Sequence, residues 1–228
     1  MFEVMMIFAG LGVAFWALIA VAGAMPVMSF AKVELQELSP ESMKKALKLA
    51  LGSRLEIDGQ WLRDQGIRPL GAFRARHLAM EPTIVAWARP GEATYFCVYL
   101  VQGAAQSMDW VTILSQRTLT TGGSRDGQLF PSMPGNWVQT FESRDAAVLW
   151  EHHRAAIEWI YSTEGLTPDS GDVPFEDLLE SELKAQSRHL QSFALWFARI
   201  PFWYFTRRFT RHNKPIQDLT FTPPEPEF

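Results

Sequence analysis

Cysteine is nearly absent from this chain of 228 residues. Cys97 stands alone, which excludes an internal disulfide and a cysteine-held metal cluster. A positive balance is missing too. Lys and Arg total 21 against 25 Asp and Glu, for a formal charge of −4. With a pI near 5.8, that argues against a nucleic-acid partner. No internal repeat is present, and low complexity is confined to the Pro223-Pro224-Glu225-Pro226 tail. At 47% hydrophobic and 20% charged, the composition excludes a disordered chain and leaves room for a sizeable core.

The familiar catalytic patterns are equally scarce. There is no Gly-x-Ser-x-Gly. In Glu151-His152-His153-Arg154 the two histidines are adjacent, about 100° apart on a helix, and positions 156 and 157 are Ala and Ile. A helical zinc pair needs a spacing of three or four. The glycines of Thr120–Gly127 are followed by Gln128 rather than the Lys-[Ser/Thr] of a phosphate loop. Asp169 and Asp172 lack the length and glutamate of a calcium loop. Cys97, between Phe96 and Val98, reads as a small buried hydrophobe. No catalytic residue, metal or cofactor is expected from these patterns.

One absence is informative in the other direction. From Val4 to Ala31 no Asp, Glu, Lys, Arg or His occurs. About 20 apolar residues suffice to cross a bilayer, so residues 1–31 are expected to form a transmembrane anchor ending near Pro26. Ala22-Gly23-Ala24 offers a competing reading as the cleavage site of an exported precursor. A secretory signal wants a positive start and a shorter apolar core of about 7–15 residues, whereas Glu3 is the only charge ahead of this one. Lys32, Lys44, Lys45 and Lys48 follow the run. The positive-inside rule therefore points to a single-pass protein of the inner (plasma) membrane with its C-terminal domain in the cytoplasm.

Residues 32–191 read as a soluble α+β domain. Ser39-Pro40-Glu41 starts a helix that Gly52 ends, and a second short helix spans Gln60–Gln65. Runs rich in β-branched and aromatic residues follow at Thr83–Ala88, Thr94–Val101, Asp109–Ser115 and Arg117–Thr121, with a further extended piece near Trp137–Phe141. An antiparallel sheet of four to five strands, covered by helices on one face, is the expectation. Ser143 reads as the cap of a helix reaching about Ser162, and Pro174 precedes a long final helical segment.

Between Ser192 and Lys214 lies an aromatic segment too short to span a bilayer. If it is one helix, Arg188, Ser192, Arg199, Thr206 and Thr210 form a narrow polar stripe. Trp196 and Trp203 border it, as interfacial indoles do. From Leu183 to Gln217 there are seven Lys or Arg and no acid, which leaves −11 for the rest of the chain. Trp196, Arg199, Trp203, Arg207, Arg208, Arg211 and Lys214 are thus candidate membrane-interface residues, the cations meeting anionic lipid of the cytoplasmic leaflet. The competing reading packs this helix as ordinary core. Residues 215–228 read as a loose tail.

The function expected is a non-enzymatic, membrane-anchored accessory or scaffolding subunit, with membrane lipids and a membrane protein as partners. A lipid or apolar-ligand binding module is the alternative. An enzyme acting on a membrane substrate ranks third.

Overall fold

The computed structural model describes residues 21, 24–124 and 130–221. The anchor read over residues 1–31 therefore lies mostly outside the described residues. Of it, residues 24–30 are helical, and no described helix is long and apolar enough to cross a membrane. The glycine-rich turn read up to Gly127 also falls partly outside this set.

The fold is α+β. Seven strands form one sheet in sequence order: β1 (Glu34–Glu37), β2 (Arg68–Arg76), β3 (Thr83–Ala88), β4 (Thr94–Val101), β5 (Ala104–Leu114), β6 (Arg117–Gly122) and β7 (Trp137–Thr140). Every neighbouring pair is antiparallel except β6 and β7, which run parallel. The helices are α1 (Pro40–Leu51), α2 (Gly59–Asp64), α3 (Ala146–Glu164), α4 (Phe175–Ser192) and α5 (Trp196–Thr206).

Seven strands rather than four or five is a correction with a compositional cause. Strand β1, Glu-Leu-Gln-Glu, is a polar edge strand, the kind that resists pairing with other chains. Strand β2 contains Pro69, Gly71 and three arginines, and its register shifts between Pro69 and Gly71. Proline and glycine belong at such irregularities, but they hide the strand from a search for apolar alternation.

The sheet is covered on both faces, not one. Phe96, Val98, Met108 and Trp110 face α1, α2 and the start of α3. Phe73, Ile84, Tyr95, Cys97 and Ile113 face Phe175 and Leu179 of α4. Burial on both sides explains why β3 and β4 are near-continuous apolar runs. Farther along the sheet, Leu119 and Trp137 pack against Ala156 and Ile160 of α3 and against Ile216. Trp110 is central to the first face. Its ring lies 4.6 Å from both Phe96 and Trp150, and its Nε1 donates to the Ala146 carbonyl.

Local signals set the helix ends. Ser39 caps α1 by accepting from the Ser42 amide. The cap of α3 is Asp145, not Ser143: its carboxylate accepts from the amides of Ala147 and Val148. Ser143 instead accepts from the Asp145 amide. Gly165 ends α3 in the left-handed conformation that favours glycine. Residues 215–221 are not a loose tail. Ile216 is fully buried and its amide donates to Gln139 Oε1 at 3.0 Å.

Gly123 marks where the sheet passes closest to α3. A Cβ there would lie 2.8 Å from Leu149 Cδ1 and 2.9 Å from the Ser143 carbonyl oxygen. Backbone cannot give way cheaply, so Gly123→Ala is expected to cost about 1–3 kcal/mol, read as a lower urea midpoint. Asp145→Ala is expected to cost about 1 kcal/mol through the lost cap, and an unchanged midpoint would remove Asp145 from that role.

Candidate functional site

Two features gather unusual side chains, one around the entry of the N-terminal run and one under α4. The first begins where the N-terminal apolar run enters the domain. Val27 is fully buried against Leu190 of α4 and Ile200 of α5, with Phe130, Phe193 and Trp196 around them. Ser187 of α4 donates to the Val27 carbonyl at 2.7 Å, so a hydrogen bond as well as packing holds the entry point. Met25 and Met28, on the same short stretch, remain exposed.

The segment read as one helix over 192–214 is broken into pieces. Helix α4 ends at Ser192, Phe193 is extended and Leu195 sits at φ 55°. Helix α5 then runs to Thr206, followed by a 3-10 turn at Arg208–Thr210. The break lets Phe193 and Trp196 both pack around Val27. Pro201 lies inside α5 without an amide to donate. The single polar stripe from Arg188 to Thr210 therefore does not exist as one face.

What the pieces present is more apolar than that stripe. Phe197, Phe202, Phe205 and Phe209 are each about half exposed, and Leu195 is 66% exposed. These are the four most exposed phenylalanines among the described residues. Trp196 and Trp203 are half-buried, while Arg199, Arg207 and Lys214 are open to solvent. Arg208 and Arg211 turn inward instead. The Arg208 guanidinium lies over Tyr204 at 3.7 Å and near Phe209. Arg211 lies over Phe221 and donates to the Thr220 carbonyl, and burial lowers its pKa. Of the seven candidate interface residues, three cations face outward and two stack within the fold.

The second feature is a cavity of about 260 Å³ between the sheet and α4, partly open to solvent. The pleat of the strands supplies its floor. Tyr99 of β4, Asp109 and Val111 of β5, Thr118 and Thr120 of β6 and Val138 of β7 all point to the α4 side. Leu178, Leu179, Glu182 and Leu183 form the roof, and Phe30 with the Phe130–Met133 loop closes one end. Asp109 receives a hydrogen bond from the Tyr99 hydroxyl at 2.9 Å on Oδ2. Its Oδ1 is shut off from solvent with no hydrogen-bond partner among the described residues. Burial raises the Asp109 pKa to about 7, against the partial offset of the Tyr99 bond. Glu182 faces the Asn136 amide at 3.4 Å. Burial raises its pKa as well, offset in part by Thr118 and Asn136. Among the described residues no Lys, Arg or His lines this cavity. A larger groove of about 550 Å³, as open as this cavity, lies beside the β3–β4 turn and has Arg89 paired with Glu92; among the described residues no buried unpartnered polar atom lines it.

The paired histidines have structural places. His153 is fully buried on the opposite face of the sheet, with Nε2 2.8 Å from Thr112 Oγ1 and Nδ1 2.8 Å from Thr121 Oγ1. Burial lowers its pKa to about 3, so it is neutral. His152 stacks on Phe141 at 3.8 Å. Cys97 is buried beside Asp109 in register, and desolvation pushes its thiol up. Among the described residues no cluster of His, Cys, Asp and Glu could hold a metal ion.

Comparison of the chain with protein-family models, with curated proteins and with solved structures gives no match. The functional reading rests on this geometry.

Asp109 and His153 pull stability in opposite directions as pH changes. Between its folded value near 3 and its ordinary 6.5, His153 takes a proton only in the unfolded chain, so its contribution rises with pH. Between 3.8 and about 7, Asp109 keeps its proton only in the folded chain, so its contribution falls with pH. Each slope reaches at most about 1.4 kcal/mol per pH unit. Asp109→Asn is expected to steepen the rise in stability from about pH 4 to the ordinary histidine value of 6.5 and to exceed the wild type most above pH 7. Glu182 acts in the same direction as Asp109 and is common to both proteins. Parallel pH–stability curves for the two would contradict this assignment.

Proposed function

We propose that this chain is a single-pass membrane-anchored protein whose domain is held against the cytoplasmic leaflet at two points, serving as an accessory or scaffolding subunit that works by binding. One observation carries the reading. Val27, from the apolar run, packs on Ile200 of α5, so the exposed phenylalanines of α5 lie beside the point where the anchor enters the domain. A bilayer holding the anchor would then meet Phe202 and Phe205 at its surface. Such a surface is unusual on a soluble domain unless something covers it. The outward cations Arg199, Arg207 and Lys214 suit an anionic leaflet at about 1 kcal/mol each near the surface. Lys32, Lys44, Lys45 and Lys48 support the same side of the membrane. A second attachment restricts how the domain can turn, which favours presenting one surface to a membrane-protein partner.

A second reading rests on a different observation. The cavity under α4 combines apolar walls with convergent polar groups, the usual make-up of a ligand site. It supports a lipid or apolar-ligand binding module at the membrane surface.

The two-point attachment is testable in the full chain, reconstituted in vesicles rich in phosphatidylglycerol. In a Cys97→Ala background, a fluorophore attached through Phe205→Cys is expected to be quenched by doxyl-labelled lipid. The same fluorophore attached through Glu151→Cys, on the exposed side of α3, should stay unquenched. Arg207→Glu with Lys214→Glu is expected to weaken quenching at position 205. A probe at 205 that remains in water would overturn the attachment.

A further inference from the structure

The cavity between the sheet and α4 has a chemistry more specific than "apolar". We infer that it is a binding site for a small hydrophobic amine, whose ammonium would pair with Asp109 while its apolar body lies among Val111, Val138, Leu178, Leu179 and Leu183. This deepens the ligand-binding reading above and rests on it. The membrane attachment bears only on how a ligand arrives.

Three observations select that class. First, Asp109 and Glu182 have no cationic side chain beside them among the described lining residues. An anionic ligand would be repelled by either carboxyl in its ionised form, with no described cation to offset it. Second, Asp109 Oδ1 is closed off from solvent without a donor among the described residues, although its other oxygen is engaged by Tyr99. A buried acceptor left unmade is costly, and a turn of the carboxyl that brings this oxygen to the cavity would let an incoming N–H satisfy it. Third, the rest of the lining is dominated by aliphatic and aromatic groups, which a strongly hydrated polyol would not desolvate well. A volume of about 260 Å³ lies below the range of roughly 300–1,000 Å³ typical for drug-sized ligands, so the ligand is small.

The placement of Phe30 adds a route. It forms one end of the cavity and lies edge-on to Phe130 at 5.5 Å, while Phe130 also packs against the Val27 cluster. The cavity thus shares a wall with the surface beside the anchor. An anionic leaflet concentrates hydrophobic cations at that surface.

The test uses the full chain in zwitterionic nanodiscs, with empty nanodiscs as the blank, and calorimetric titration of three probes of matched body: phenylbutylamine, phenylbutanol and phenylbutyrate. The amine is expected to bind about tenfold or more tighter than the alcohol, because a charge-assisted hydrogen bond is roughly twice as strong as a neutral one. The acid should not bind. Asp109→Asn is expected to lower amine affinity about tenfold and to leave the alcohol nearly unchanged. Leu179→Trp, which fills the space, should abolish both.

Amine binding should strengthen as pH rises through the Asp109 value of about 7. Among the described residues the other titratable groups near this carboxyl are Tyr99 and Cys97 on β4, both with raised pKa, and the Glu182 roof residue on α4. Equal affinity for amine and alcohol would overturn the amine inference and keep the ligand-binding reading. Binding of no probe would overturn both. Amine binding untouched by Leu179→Trp, or by a folded Asp109→Asn, would place it elsewhere and overturn the inference. The amine-to-alcohol ratio in the unmodified chain decides the matter even if a variant does not fold.

Discussion

Strand β5 cannot send successive side chains to the same side, and the arrangement of the molecule follows from that pleat. Met108, Trp110 and Thr112 go to one face, Asp109, Val111 and Ile113 to the other. On the first face, Trp110 and Thr112 receive α3: one by packing its ring, tilted, against Trp150, the other by holding His153. On the second face, Asp109 and Val111 become the floor of a cavity roofed by α4. One stretch of six residues therefore contributes both to the aromatic core on one face and to the cavity floor on the other. A register slip of one residue would exchange the two and put Asp109 into the aromatic core.

The two faces differ in how their polar groups are matched. On the α3 side His153 is engaged at both ring nitrogens. Thr112 also meets Thr94 at 3.0 Å, and Thr121 accepts from Gln139. Fully satisfied buried networks of this kind specify a unique arrangement. On the α4 side the matching stops at Tyr99 and Asn136, and one carboxylate oxygen is left over. Trp150 Nε1 on the α3 side also lacks a partner among the described residues, so what sets the α4 side apart is that its unmatched carboxylate oxygen belongs to a residue lining the cavity.

How much of this could be read from the residues depended on the kind of signal. Strands β3 and β4 were legible to the residue, because apolar β-branched runs bounded by Arg89-Pro90-Gly91-Glu92 and Gly103 leave little choice. The first half of β5, Ala104–Ser107, was not, since its side chains are small or polar and point partly to solvent. Strand β2 hid behind proline, glycine and arginine. The break at Phe193–Leu195 was invisible because its cause is tertiary: burial of Val27, a residue more than 160 positions away. The cavity left one trace in the sequence, an aspartate between Met108 and Trp110. Glu182 gave none, being one acid among several on a charged helix. Only the fold brings the two to one space.

After the exposed aromatic segment, the chain returns to the sheet and seats Ile216 in a core shared with α3 and β7. Its amide is held by Gln139 Oε1, and the same side-chain amide nitrogen donates to Thr121 and to the His152 carbonyl. The segment is thus a span riveted at both ends, at Leu190 on one side and at Ile216 on the other. Just before Ile216 the Asn213 amide also donates to the Thr140 carbonyl. The far rivet is therefore a two-residue clasp on β7, Gln139 and Thr140, and Gln139 joins it to the His152 carbonyl and to Thr121, which holds His153.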